Sequence, residues 1–152
     1  MRLLALFLLL CLPAQAETII GKVVGVTDGD TLTLRTETET LKVRLEAIDT
    51  PERGQPYGTK AKQALSDMVF GQSVTIESSG KDRYGRTLGT VFSQAKGNVN
   101  AELIRMGMAW QNHQYSKSTA LQGFEDFARE NVVGLWAEPN PIPPWEWRRG
   151  KR

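Results

Sequence analysis

Disulfides are excluded at once. The chain contains a single cysteine, Cys11, inside an apolar N-terminal stretch that reads as a removable leader. Without that stretch no cysteine remains, so an exported protein of this sequence must rest on its own core. Charge of one sign is also scarce. The formal net charge is only +2, too little for an overall field that gathers polyanions, and any such attraction must come from local clusters. Long hydrophobic runs are missing too: the apolar run at 3–12 is too short to span a bilayer comfortably. No internal repeat and no second domain can be seen. What is present, 152 residues at 40% hydrophobic and 24% charged, is one ordinary globular domain with enough chain to bury a core.

Residues 1–16 have the layout of a signal peptide. Arg2 is a minimal basic start, 3–12 the apolar stretch, and Ala14-Gln15-Ala16 the small residues of a peptidase site. Cleavage is expected after Ala16, giving a secreted or periplasmic protein. Cys11 follows Leu10 rather than the small residue that lipid attachment wants, so no stable membrane association is expected after cleavage.

The first half of the chain reads as strands. Residues 18–27 alternate loosely around Ile20, Val23, Val24 and Val26, and Asp28-Gly29 is a strong hairpin dipeptide. Residues 31–36 return with Leu32 and Leu34 on one face. Leu41, Val43 and Leu45 then alternate with Lys42, Arg44 and Glu46, which turns Arg44 away from the buried leucines, toward solvent or a site. A helix is expected over 59–70, ended by Gly71, and strands over 73–77 and 87–93. Asn100 is the expected N-cap of a short helix stopped by Gly107. A last helix, 118–133, carries the apolar stripe Leu121, Phe124, Ala128, Val132 and Leu135. Five short strands and three helices predict an α+β, mainly β, domain over 17–137: a small OB-type barrel. Residues 138–152 form a Pro-, Trp- and Arg-rich tail, expected to lie as an extended strap with docked aromatics.

Three segments concentrate opposite charges: Asp28-Gly29-Asp30-Thr31; Arg44-Leu45-Glu46-Ala47-Ile48-Asp49-Thr50-Pro51-Glu52; and Asp82-Arg83-Tyr84-Gly85-Arg86. Carboxylates gathered together repel unless a hard cation joins them. Arginines beside such a cation suit a phosphodiester. Asp30 begins one strand and Asp49 ends the strand that carries Arg44, so the two can converge at one end of a barrel if those strands are neighbours. Two acids, a Thr50 carbonyl and water suffice for Ca²⁺, although the spacing is not that of an EF-hand. Glu52, behind the stiffening Pro51, could orient or deprotonate a water.

In order and separation, these motifs resemble the staphylococcal-nuclease-like (thermonuclease) family, from Val26 through Arg86 and on to Asn100-Ala101-Glu102-Leu103-Ile104 and Gly134-Leu135-Trp136. The resemblance implies an exported Ca²⁺-dependent endonuclease that hydrolyses DNA and RNA, prefers single strands and leaves 3′-phosphates. It implies Asp30 and Asp49 as side-chain metal ligands, Thr50 as a carbonyl ligand and Asp28 as their support. Arg44 and Arg86 would hold the scissile phosphate, Glu52 would be the general base, and Tyr84 and Tyr115 would contact the nucleotide. His113 stands where the family's type member has tyrosine, which implies an altered nucleotide preference. A monomer is expected. Tails like 138–152 occur on exported bacterial members, and the basic end, Arg148 onward, could add non-specific phosphate attraction. A non-catalytic OB-type nucleic-acid-binding module is the alternative; such modules have lost some of Arg44, Asp49, Glu52 and Arg86, and all four are present.

Overall fold

The computed structural model describes residues 16–151; the expected leader, apart from Ala16, lies outside them. Eight strands and four α-helices follow in the order β1 (Glu17–Asp28), β2 (Thr31–Arg35), β3 (Thr40–Leu45), β4 (Ile48–Asp49), α1 (Gly58–Val69), β5 (Ser73–Lys81), β6 (Thr87–Ser93), β7 (Gly97–Asn98), α2 (Val99–Arg105), β8 (Trp110–Gln111), α3 (Thr119–Glu130) and α4 (Pro144–Arg148). A 3-10 turn, Gly134–Ala137, lies between α3 and α4.

Five strands make the barrel. They run β3-β2-β1-β5-β6, and a parallel pairing of β3 with β6 closes the ring. This is the OB-type architecture expected. The long β1 serves two neighbours, β2 with its C-terminal half and β5 with its N-terminal half. Register shifts at Val23/Gly25 and Val26/Asp28 add the local twist that closure requires. Inward residues alternate as read: Val23, Leu32, Leu34, Val43, Leu45, Ile76 and Val91 are fully buried. Each stabilises the fold by about 1.5–3 kcal/mol relative to exposure. Leu65 and Val69 of α1 and Leu103 and Ile104 of α2 join the same core. Among the described residues no helix is long and apolar enough to cross a membrane.

Four expectations are corrected. The cap of α2 is Asn98, whose side chain accepts from the Ala101 N–H. Asn100 is instead buried and cross-links the core, accepting from Val91 N at 3.0 Å and donating to Glu46 O at 3.0 Å and Gly89 O at 3.2 Å. The buried face of α3 is Leu121, Glu125 and Ala128, with Phe124 and Val132 exposed; the carboxylate is drawn inward by the Gln111 N–H, 3.0 Å away. The barrel strands are supplemented by β4, β7 and β8, which at two residues each carry no readable period. Finally, the tail is not extended throughout. Pro144 stands at the start of α4, where the missing N–H costs nothing and the fixed φ suits a helix.

Candidate active site

The Asp28-to-Thr31 turn joins β1 to β2 with Asp28 opposite Thr31. Gly29 lets it sit close against the next loop: a Cβ there would meet Thr50 Oγ1 at 2.7 Å and the Ala61 Cβ at 2.8 Å. That contact brings Asp30 to Thr50. Both the Thr50 N–H and its hydroxyl donate to Asp30 Oδ2 at 3.0 Å, and the Thr31 hydroxyl donates to Oδ1 at 3.2 Å. Asp28 Oδ1 accepts from the Asp30 N–H at 3.2 Å.

Arg44 leaves the polar face of β3 and reaches across the same opening. Its Nη2 lies 3.3 Å from Asp30 Oδ2 and 3.3 Å from Asp49 Oδ1. The guanidinium also donates to the Ile48 carbonyl at 3.1 Å and to that of Leu45. Asp49 does not end the strand of Arg44 as expected: the positive φ of Ala47 breaks the extended chain after β3, and Asp49 lies on the separate β4, held from behind because β4 pairs with β8 and sets it opposite Trp110. Asp30 and Asp49 are 6% and 2% exposed, unusual for carboxylates unless they are paired or bind a cation. Glu52 follows on the same loop, half-buried. Its N–H donates to Gln55 Oε1 at 2.9 Å, and close packing of Gly58 on the Glu52 carbonyl tightens the loop.

The electrostatics show the strain of this gathering. Burial, and then the charge of Asp30, push the Asp28 carboxyl from 3.8 up to about 6. Burial also raises Asp49; the hydrogen bond from Arg148 opposes that rise and the Asp30 charge adds to it. Among the described residues no group of three or more His, Cys, Asp or Glu side chains gathers to hold an ion unaided. A cation here would take Asp30 and Asp49 and complete its shell from the Thr50 carbonyl and water, an all-oxygen set that suits Ca²⁺.

The remaining expected residues lie around this centre. Arg86 precedes Thr87, which pairs with Val43, so it stands next to the strand of Arg44. Its side chain turns to Asp82, Nε to Oδ2 at 2.7 Å, and lies over the Tyr84 ring at 5.5 Å. Desolvation would raise the Asp82 carboxyl, but the hydrogen bonds from Arg86 and Tyr84 hold it below its usual range. Tyr84 and Tyr115 are 69% and 76% exposed. His113 lies just beyond β8, its Nε2 3.5 Å from the buried Glu125. Arg44, Asp30, Asp49 and Thr50 are therefore in contact, Glu52 joins them through Arg148, and Arg86, Tyr84, His113 and Tyr115 are not part of that contact network.

Arg148 is the residue that sequence reasoning misplaced. It was expected on a basic end open to phosphate. Instead its Nη2 pairs with Asp49 Oδ2 at 2.8 Å and its Nη1 with Glu52 Oε1 at 2.5 Å. The alternation of prolines up to Pro144, followed by Trp145-Glu146-Trp147-Arg148, was the available signal for a docked terminal helix. Trp145 does dock, edge-on to Trp110 at 5.8 Å, and Trp110 packs on Trp136 at 4.3 Å.

Comparison with known proteins points to one family. A family model described as staphylococcal nuclease homologue matches residues 42–138. The chain is 41% identical over 158 residues to the micrococcal nuclease of Shigella flexneri, covering 97% of this chain and 90% of that protein. It is 45% identical over 132 residues to an uncharacterized endonuclease of Haemophilus influenzae, covering 86% and 74%. The staphylococcal-like nuclease CAN1 of Arabidopsis thaliana is 40% identical over 111 residues, covering 73% of this chain and 34% of that protein.

Proposed function

This chain belongs to the staphylococcal nuclease homologue family, and we infer that it is a hydrolytic endonuclease working at the mouth of its barrel, Ca²⁺-dependent and active on both DNA and RNA. The observation that carries the reading is the position of Arg44, 3.3 Å from each of two buried carboxylates, one delivered by the β1–β2 turn and the other by β4. Burying three charges together is costly for folding alone, and it suits a site that must hold a cation and a phosphodiester at once.

Asp30, Asp49 and the Thr50 carbonyl would hold the ion, with Asp28 supporting Asp30. A bound Ca²⁺ supplies fixed positive charge against the charge that builds on the phosphate. The other roles belong to the chain's own groups. Glu52 holds the attacking water and accepts its proton. Arg44 binds a non-bridging phosphate oxygen, and Arg86 swings from Asp82 to bind another. The 5′-oxygen leaves in line with attack, so products carry 3′-phosphates. Recognition through phosphate explains indifference to the sugar and the sequence. The exposed rings of Tyr84 and Tyr115, with His113, offer faces for unpaired bases and so favour single strands. The protein acts as a monomer, exported by cleavage after Ala16.

The test is cleavage of single-stranded DNA and RNA with Ca²⁺ or with chelator, by the native protein and by Glu52→Gln and Arg86→Gln. Loss of a transition-state donor costs roughly 10²–10³ in rate, and end-labelling identifies the phosphate. Cutting that persists in chelator removes the ion from the reading. Undiminished variants remove the assigned groups, and binding without any cutting favours the non-catalytic module.

A further inference from the structure

The tail is fastened at two points, one on the loop that carries Glu52 and one on β8. Gln55 is the first: its Oε1 accepts the Glu52 N–H at 2.9 Å while its Nε2 donates to the Ile142 carbonyl at 2.6 Å. The second is the edge-on contact of Trp145 with Trp110, whose neighbour across the β4–β8 pair is Asp49 itself. Between them these anchors set α4 so that Arg148 ends on the acid cluster.

There it satisfies what a cation would satisfy. Asp49 Oδ2 receives Arg148 Nη2 at 2.8 Å, and Asp49 Oδ1 receives Arg148 Nη1 at 3.4 Å together with Arg44 Nη2 at 3.3 Å. The same Nη1 reaches Glu52. Both oxygens of Asp49 are therefore engaged by guanidinium donors, and of the two carboxylate ligands the less encumbered is Asp30, whose Oδ2 already accepts two hydrogen bonds from Thr50. A hard cation needs bare oxygen lone pairs. With two guanidinium donors on Oδ1 and a third on Oδ2, Asp49 keeps few of its lone pairs for an ion while Arg148 is in place.

We propose that Arg148 is a resident cation of the active site: the docked tail places its guanidinium on Asp49 and Glu52, and a divalent ion must displace it to bind. The proposal rests on the reading of Asp30 and Asp49 as ion ligands. It gives the tail a regulatory role, because whatever undocks α4 exposes the acids and frees Glu52 for water. A charge-assisted pair to a buried carboxylate, discounted because Arg148 is half exposed, sets the expected competition at about tenfold in ion affinity.

Calorimetric titration of the purified protein with Ca²⁺, without nucleic acid, tests it. Arg148→Ala is expected to bind about tenfold more tightly than the native protein. Trp145→Ala, which loosens the strap and removes no charge, is expected to shift affinity in the same direction. Arg149→Ala removes an equal charge from an exposed neighbour and is expected to stay within about twofold, as a screened surface charge should. Equal or weaker binding by Arg148→Ala, while the native protein binds, overturns the proposal alone. An equal gain in Arg149→Ala also overturns it, since bulk charge would then account for the effect. No Ca²⁺ binding by any variant overturns both the proposal and the ion-site reading.

Discussion

Replacing Asp28 by Asn should stabilise the ion-free protein at neutral pH, although it removes an acid from the active site. The folded state raises the Asp28 carboxyl from 3.8 to about 6, through burial first and the adjacent Asp30 second. A raised acid binds its proton more tightly folded than unfolded, so ionising it opposes folding. The penalty is absent below about pH 4, grows through the interval from about 4 to about 6, and is complete above it. At about 1.36 kcal/mol per unit a wholly dry group would cost roughly 3 kcal/mol; Asp28 keeps some contact with water, and screening brings the expected penalty to about 1–2 kcal/mol. Asn is close in shape to the protonated acid. Its Oδ1 can still accept the Asp30 N–H, and its amide can donate to the Asp30 carboxylate. Urea unfolding in chelator, followed by tryptophan fluorescence, should show Asp28→Asn more stable by about 1–2 kcal/mol near pH 8, or roughly 3–8 °C in Tm, and equal to the native protein near pH 4. Added Ca²⁺ should narrow the gap, because the charge that opposes folding attracts the ion. A variant less stable near pH 8, or an advantage independent of pH, would refute the reasoning.

Asn100→Ala removes three core hydrogen bonds and leaves the Val91 N–H and two carbonyls buried without that partner. A loss of roughly 2–4 kcal/mol in urea unfolding is expected, and a loss under about 1 kcal/mol would contradict the role given to it. Gly58→Ala would put a methyl 2.1 Å from the Glu52 carbonyl, so the loop must shift. Stability should fall by about 1–3 kcal/mol and kcat by at least about tenfold through misplacement of the base; an unchanged kcat would separate Glu52 from catalysis.

How much was legible follows from what each signal depended on. The Asp28-Gly29 turn and the alternation of Leu41, Val43 and Leu45 are local; they placed Arg44 on the polar face of its strand and Asp30 within one residue of its place, in the turn just before β2 rather than at the start of that strand. The barrel followed from five such strands. What stayed hidden depended on partners distant in sequence. The buried face of α3 could not be read because Glu125 is held by the backbone of β8, and Asn100 looked like a cap because its true partners lie in β6 and the loop after β3. Arg148 sits 99 residues from Asp49. Its basic neighbours suggested solvent, and only docking of Trp145 on Trp110 carries it to the acids. The side chain of Arg86 was placed by a local partner, Asp82, which competes with the role expected of it.

The central claim is that Asp30 and Asp49 hold one divalent ion beside Arg44 at the barrel mouth. Anomalous diffraction from crystals of the native protein grown with Ca²⁺ tests it most directly. The account predicts a single strong peak between the Asp30 and Asp49 carboxylates, with Arg148 drawn away from Asp49. A peak elsewhere on the molecule, or none there in a protein that cuts only with Ca²⁺, would contradict it.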